Sequence, residues 1–105
     1  MAEFNVNLRG VGSVSVIDVK GYLDAYTAPE LENIFNKLLD ERQFKVVVNF
    51  NELKYISSAG LGVFMAYVET MRENKGDIKF SNMKENVYNI FDLLGFPILY
   101  EFYKE

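Results

Sequence analysis

The chain has 105 residues, of which 50% are hydrophobic and 25% charged, with a formal net charge of −4. This size predicts one domain spanning residues 1–105, large enough to bury a core. Because the chain has neither cysteine nor histidine, disulfides, thiolate or imidazole metal sites and histidine-based catalytic triads are excluded. An acidic chain is also poorly suited to phosphate backbones, so we expect no nucleic-acid partner. Without cysteine or histidine ligands and without the Asp-x-Asp-x-Asp-Gly pattern of a calcium loop, we also expect no metal and no cofactor.

The N-terminus and the apolar runs bear on where the protein works. Residues 1–5 show neither the basic region nor the apolar stretch of a signal peptide. The apolar runs are far shorter than the roughly 20 residues of a membrane helix. We therefore expect a cytoplasmic protein without a membrane partner.

The first part of the chain predicts a hairpin followed by a helix. Hydrophobic residues alternate over Phe4–Leu8 and again over Val14–Val19, which predicts two strands joined by a glycine turn. Thr27 is the expected N-cap of the first helix, because Glu30 completes a capping box and Pro29 occupies the first turn.

The remainder predicts strands that alternate with helices. The β-branched run over residues 44–50 is typical of a central strand covered on both faces. A second helix begins at Ser58 and ends before Gly76, with an apolar face that includes Met65. The later elements are a strand over Asp77–Ser81, a third helix starting near Asn82 and an edge strand over Ile98–Phe102.

The predicted element order is β-β-α-β-α-β-α-β. Strands that alternate with helices after an opening hairpin indicate an α/β fold. We expect a mixed sheet of four to five strands with three helices, which lie on one or both faces of the sheet.

The most informative segment joins the third strand to the second helix. It reads Tyr55-Ile56-Ser57-Ser58-Ala59-Gly60-Leu61-Gly62. Either Ser57 or Ser58 is expected to cap the helix, because a serine hydroxyl accepts hydrogen bonds from the first-turn N–H groups. Gly60 and Gly62 each cost about 1 kcal/mol relative to alanine, which indicates that a phosphate or another protein approaches this backbone closely.

Enzymatic interpretations of this segment lack their motifs. The glycine spacing matches neither the dinucleotide fingerprint nor the Walker loop, and the nucleophile elbow Gly-x-Ser-x-Gly is absent. Arg72, the nearest basic residue downstream, is too far along the helix to bind phosphates there. A nucleotide-binding enzyme therefore stays only as an alternative.

An acidic residue and three tyrosines border the same segment. Asp24 precedes the first helix, where it is either a polar turn residue or a functional carboxylate. Tyr22, Tyr26 and Tyr55 are expected in loops around Ser58. Such amphipathic rings suit a protein interface or partly buried packing.

Three segments resemble the anti-sigma factor antagonist family, the small stand-alone STAS domains of bacteria. They are residues 21–31 (Gly-Tyr-Leu-Asp-Ala-Tyr-Thr-Ala-Pro-Glu-Leu), 46–62 (ending Ser-Ser-Ala-Gly-Leu-Gly) and 90–96 (Ile-Phe-Asp-Leu-Leu-Gly-Phe). The middle segment is the specific one, and the resemblance spans nearly the whole chain. It implies a single STAS-like domain over residues 1–105.

The resemblance implies a phosphorylation-switched binding domain and not an enzyme. In the family, the serine two residues before the Gly-Leu pair is phosphorylated by a partner kinase that is also the anti-sigma factor. That position is Ser58 here. The unphosphorylated form binds the anti-sigma factor and so releases the sigma factor for transcription, and a PP2C-type phosphatase restores this form. Many members carry aspartate where this chain has Ser57, which makes Ser57 a second candidate acceptor.

The resemblance also implies a surface around the acceptor. From the resemblance, the glycine segment and the bordering tyrosines together, the expected partner-binding residues are Asp24, Tyr22, Tyr26, Ser57, Ala59, Gly60, Leu61 and Gly62. A phosphate at a helix N-terminus meets a favourable dipole, so we expect the fold to survive phosphorylation while partner binding weakens. The alternative is a STAS-type scaffold or regulatory module in a larger complex without such a switch.

Overall fold

The computed structural model describes residues 3–85, 87, 89 and 93. Within this part of the chain four strands and two helices are present. They are β1 (Phe4–Val11), β2 (Val14–Leu23), α1 (Ala28–Asp40), β3 (Lys45–Ile56), α2 (Ser58–Glu73) and β4 (Asp77–Ser81).

The four strands form one mixed sheet in the order β1-β2-β3-β4. β1 pairs antiparallel with β2 through a hairpin that closes at Val11 and Val14, as the alternating pattern predicts. β2, β3 and β4 are mutually parallel, and α1 and α2 connect them. Because the carboxyl ends of parallel strands meet at one edge, the segments that follow β2 and β3 are neighbours.

Both helices pack on the same face of the sheet. Phe64 of α2 lies at the centre, with its ring 6.0 Å from that of Phe35 in α1 and 5.7 Å from that of Phe50 in β3. Phe80 of β4 completes the cluster, 5.3 Å from Phe64 in an edge-to-face arrangement. Aromatic pairs of this geometry add stability beyond the area they bury.

Burial along β3 differs from the sequence-based expectation. Val46, Val48 and Phe50 are buried against the helices, whereas the intervening Val47 and Asn49 are only half-buried. The prediction of a strand covered on both faces is therefore wrong for this segment. β-branching raises the strand propensity of both faces, so a run of valines does not report how many faces are covered.

The N-terminus of α1 confirms one prediction and overturns another. Thr27 is the N-cap and Pro29 lies in the first turn, as expected. The capping box with Glu30 is wrong, because the Glu30 N–H donates to the Thr27 carbonyl oxygen and not to its side chain. Thr27 has a helical backbone conformation, and its hydroxyl instead donates to the Tyr22 carbonyl oxygen at 2.9 Å.

The predicted third helix and last strand lie largely outside the described residues. Glu85, Val87, Asn89 and Leu93 are helical, but only two complete helices are present in the described part, instead of the expected three. The edge strand predicted over Ile98–Phe102 is entirely outside it. Within residues 3–85, 87, 89 and 93, no helix has the length and hydropathy needed to cross a bilayer.

Candidate functional site

The candidate site lies where the carboxyl ends of β2 and β3 meet the two helices. Leu23 and Ile56 are register partners at the ends of these strands. Beyond them, the Ser57 N–H donates to the Leu23 carbonyl oxygen at 2.9 Å. This hydrogen bond holds the loop that contains Asp24 beside the N-terminus of α2, so residues far apart in sequence form one surface.

The two serines at the start of α2 have different positions. Ser57 is the N-cap, with extended backbone, and its Oγ accepts a hydrogen bond from the Gly60 N–H at 3.3 Å. Ser58 is the first helical residue and is exposed. The choice left open by the sequence is thereby resolved, because Ser57 caps the helix and Ser58 is an exposed residue beside it.

The electrostatic environment at Ser58 favours an added negative charge. The first turn of α2 contains no acidic residue, and the helix N-terminus carries partial positive charge from its unpaired N–H groups. Phosphate groups bind at such positions because N–H donors and the dipole act together. A phosphoryl group on Ser58 Oγ would thus lie at the positive end of a 16-residue helix.

The two glycines of the motif serve different purposes. A Cβ on Gly60 would lie 2.8 Å from Leu23 Cγ and 3.0 Å from Ile56 Cγ1, so the close approach is internal to the fold. A Cβ on Gly62 would meet nothing within 4 Å. Contacts within the fold therefore account for the glycine at position 60 but not at position 62, and the approach of a partner to this backbone stays a prediction.

The remaining motif residues divide between core and surface. Leu61 is only 1% exposed and Gly60 is buried, so neither presents a side chain to a partner. Ala59 and Gly62 are exposed beside Ser58.

Met65, which the helical pattern assigned to the buried face, is instead 46% exposed. Its spacing from Ser58 and Gly62 places all three residues on one helical face. We call the exposed set Ser58, Ala59, Gly62 and Met65 the α2 surface.

Asp24 organises the loop beside the α2 surface. Its Oδ1 accepts hydrogen bonds from the N–H groups of Tyr26 at 2.9 Å and Thr27 at 3.1 Å. The Asp24 N–H in turn donates to Thr27 Oγ1 at 2.9 Å. The polar-turn interpretation is thus confirmed, and the signal for it is an Asp-x-x-Thr spacing directly before a helix. A direct role toward a partner stays a prediction.

The tyrosines occupy the rim of the site. Tyr22 and Tyr55 lie in β2 and β3, not in loops as expected, and their rings are 6.2 Å apart as register partners. Both are partly exposed, and Tyr26 is 93% exposed. Beside them Lys54 Nζ lies 2.7 Å from Glu3 Oε1. This hydrogen bond to Glu3 raises the pKa of Lys54.

Comparison with known proteins places the chain in a family. Residues 5–105 match the STAS domain. The chain belongs to the STAS domain family. The prediction made from the three motif segments is therefore confirmed, and the mixed four-stranded sheet is the STAS fold.

Several relatives and structural neighbours of this STAS domain are named anti-sigma factor antagonists. An anti-sigma-B factor antagonist from Staphylococcus epidermidis is 30% identical over 93 residues, which are 87% of this chain and 86% of that protein. An anti-sigma factor antagonist from Mycobacterium paratuberculosis superposes with a TM-score of 0.87 at 21% identity, over 96% of this chain and 86% of its own. SpoIIAA, a Bacillus cell fate determinant solved in its phosphorylated form, superposes with a TM-score of 0.72 at 16% identity, over 95% and 90%.

Proposed function

We propose that this STAS domain is an anti-sigma factor antagonist that is switched by phosphorylation of Ser58. Unphosphorylated, it binds an anti-sigma factor that is also a serine kinase, and the sigma factor is released. A PP2C-type phosphatase returns the phosphorylated form to the binding state. In this scheme the domain is a kinase substrate and a binding module, and it catalyses nothing itself.

The observation that carries the proposal is the separation of cap and acceptor at the start of α2. Ser57 supplies the capping hydrogen bond, so the exposed Ser58 hydroxyl is available for chemistry without loss of the cap. The kinase transfers the γ-phosphoryl group of ATP to Ser58 Oγ, the hydroxyl proton leaves to a base of the kinase, and ADP is released.

Phosphorylation would weaken binding at the α2 surface, where the partner docks. The added group carries about −1.5 to −2 charges at neutral pH, in a chain whose formal net charge is −4. The α2 surface is otherwise small and uncharged, so a docked partner would meet both new bulk and new charge. A charge that meets no opposite charge across an interface weakens binding, and a like charge opposite it costs several kcal/mol of binding free energy.

The α2 surface also supports the binding half of the proposal. Ala59 and Gly62 leave the helix backbone open to close approach, and Met65 offers an adaptable apolar side chain one turn further along. Tyr26, which is 93% exposed, adds an amphipathic ring at the edge of this surface. Aromatic and methionine side chains are enriched in protein interfaces, and charged residues are depleted from their centres.

A matched pair of serine variants tests the acceptor. With ATP and the anti-sigma factor kinase of the same organism, we expect one phosphate per wild-type chain, none on Ser58→Ala and one on Ser57→Ala. Intact-mass spectrometry measures the stoichiometry. Ser57→Ala controls for damage to the helix, because it removes the cap, worth about 1 kcal/mol, and keeps the acceptor.

Binding of the anti-sigma factor tests the switch itself. Ser58→Ala is expected to bind like the unphosphorylated wild type, and Ser58→Asp at least tenfold more weakly, measured by titration calorimetry. Phosphorylation of Ser58→Ala to completion would reject Ser58 as the acceptor. Equal affinity of the phosphorylated and unphosphorylated wild type would favour the scaffold alternative.

A further inference from the structure

A second concave surface lies at the end of the sheet opposite Ser58, on the face that α1 and α2 leave open. A cavity of about 390 Å³ is centred on the first residues of β3 and β4. Val14 and Val47 form its apolar floor, and Lys45, Lys75 and Lys79 line it. This cavity shares no residue with the α2 surface.

This cavity continues into a second one on the same face of the sheet. The second cavity, of about 420 Å³, shares Val14 and Val47 with the first and extends to Arg9 and Val11 of β1. Val11 is 55% exposed. Together the two cavities cross all four strands, and we call the whole surface the valine groove. Valines of β1, β2 and β3 line it, and the second cavity also has polar residues on its lining, which are Asn49, Ser81 and Asn82.

The charge on the valine groove is opposite to that of the chain. Among the described residues that line the first cavity, Asp77 is the one carboxylate, and its Oδ1 accepts a hydrogen bond from Arg72 Nε at 2.9 Å. Lys45 and Lys75 are both exposed there. An acidic protein with a formal net charge of −4 thus carries a local excess of cations around an apolar floor.

We infer that the valine groove binds an acidic amphipathic segment of a second protein. The apolar side of that segment would cover Val14 and Val47, while its carboxylates would face Lys45 and Lys75. Charge complementarity selects an anionic occupant, and the length of the groove across four strands suits a peptide better than a compact molecule. The inference does not depend on Ser58, and both surfaces of one domain can be occupied together.

Titration of ¹⁵N-labelled protein with a synthetic helical peptide tests the inference. The peptide carries leucines on one face and glutamates on the other, and its matched control has glutamine at every glutamate position. We expect saturable amide shifts at Val14, Lys45 and Val47 with the acidic peptide. Raised salt should weaken this binding, because exposed charges are screened.

Single charge reversals locate the binding surface. Lys45→Glu and Lys75→Glu are each expected to weaken binding at least threefold. Lys37→Glu changes the net charge equally on the exposed side of α1 and should leave the affinity unchanged. Val47→Thr keeps the β-branched shape while adding a hydroxyl to the floor, and it should also weaken binding. Circular dichroism verifies that each variant is folded.

Four outcomes would overturn the inference. The glutamine peptide could bind as tightly as the acidic one, or Lys37→Glu could weaken binding as much as Lys45→Glu. The shifts could fall on the α2 surface instead of the groove. Finally, size-exclusion chromatography could show a dimer that Lys45→Glu dissociates, in which case the groove is occupied by a second copy of this chain.

Discussion

Gly60 and Gly62 are two residues apart in one helix, yet different forces account for them. Gly60 faces Leu23 and Ile56, so the absence of a side chain allows α2 to pack closely against the ends of β2 and β3. Gly62 faces open space, and nothing in the described part of the fold requires a glycine there. Glycine in a helix interior is destabilising, and that another molecule approaches closely at Gly62 stays a prediction.

Alanine substitutions separate these two roles. Gly60→Ala is expected to lower the free energy of unfolding by about 1–3 kcal/mol, because the new methyl group overpacks a buried site. Gly62→Ala should raise it by about 0.5–1 kcal/mol through helix propensity. Urea unfolding followed by circular dichroism measures both changes. A stabilised Gly62→Ala that also binds the anti-sigma factor as tightly as wild type would remove the case for close approach at this residue.

Asp24 gives a second prediction for a single residue. Asp24→Ala removes the acceptor of two backbone N–H groups and should lower the free energy of unfolding by roughly 1–2 kcal/mol. Asp24→Asn keeps an oxygen in the same place and should cost much less. Thermal unfolding of the two variants measures the difference. Equal losses would show that the charge of Asp24, and not its hydrogen bonds, matters for the loop.

Across the strands, polar side chains on the open face of the sheet form a connected network. Asp18 of β2 accepts from Arg9 Nε of β1 at 2.7 Å and from Asn49 Nδ2 of β3 at 2.8 Å. Asn82, just beyond β4, donates to Asn49 Oδ1 at 2.9 Å. One hydrogen-bonded chain thus links β1, β2 and β3 to the end of β4 and helps to hold their register.

This network has a pH dependence with a defined sign. The hydrogen bond from Arg9 holds the pKa of Asp18 below its ordinary value of 3.8. A depressed pKa stabilises the fold above the unfolded-state value, and this contribution is lost as the pH falls through the folded-state value. Wild type should therefore exceed Asp18→Asn in stability near neutral pH, and the difference should shrink by about pH 3.

Urea unfolding at the two pH values checks this expectation. Arg9→Gln is the matched control, because it removes the cation and leaves the carboxylate. We expect the stability difference between Arg9→Gln and its Asp18→Asn double variant to depend less on pH. A difference between wild type and Asp18→Asn that is constant across this range would contradict the assignment.

The helices and strands show where sequence patterns suffice and where they fail. Alternation located β1 and β2, and the serine pair located the start of α2, because each pattern reflects strictly local geometry. The capping-box prediction was wrong because the Thr27 hydroxyl donates to the carbonyl oxygen of Tyr22, which lies five residues upstream in β2. The prediction for Met65 was wrong because its spacing fits the apolar stripe only at the margin: Phe64 and Val68 face the core, whereas Met65 lies on the flank shared with Ser58 and Gly62 and is 46% exposed.

At the scale of the whole molecule, the three motif segments predicted the fold family more surely than any single element. The site was predicted only in part from the same residues. That Asp24 lies beside α2 follows from the resemblance, whereas the only sequence signal for its hydrogen bonds to Tyr26 and Thr27 is the Asp-x-x-Thr spacing, which does not specify the loop geometry. The valine groove escaped prediction altogether, because Val14, Lys45 and Lys75 are brought together only by the pairing of three strands.

The phosphorylated protein as a whole should remain folded. A phosphate on Ser58 interacts favourably with the α2 dipole, which is worth about 0.3–1 kcal/mol at low ionic strength. We expect its melting temperature to equal or slightly exceed that of the unmodified protein, with the increment reduced by salt. Differential scanning calorimetry of both forms measures this. A large drop on phosphorylation would mean that the modification acts by unfolding and not at the partner surface.

The separate roles of Ser57 as cap and Ser58 as proposed acceptor also bear on how the regulation of such a protein can change. Since Ser57 supplies the capping hydrogen bond and Ser58 is exposed, we expect the second position to tolerate exchange for threonine, tyrosine or a non-acceptor. Under the proposed switch, changing the enzyme that controls the domain, or freeing it from control, would need a single codon and no compensating change elsewhere. Regulatory circuits built from many copies of this fold can diverge at that codon while every copy keeps its architecture.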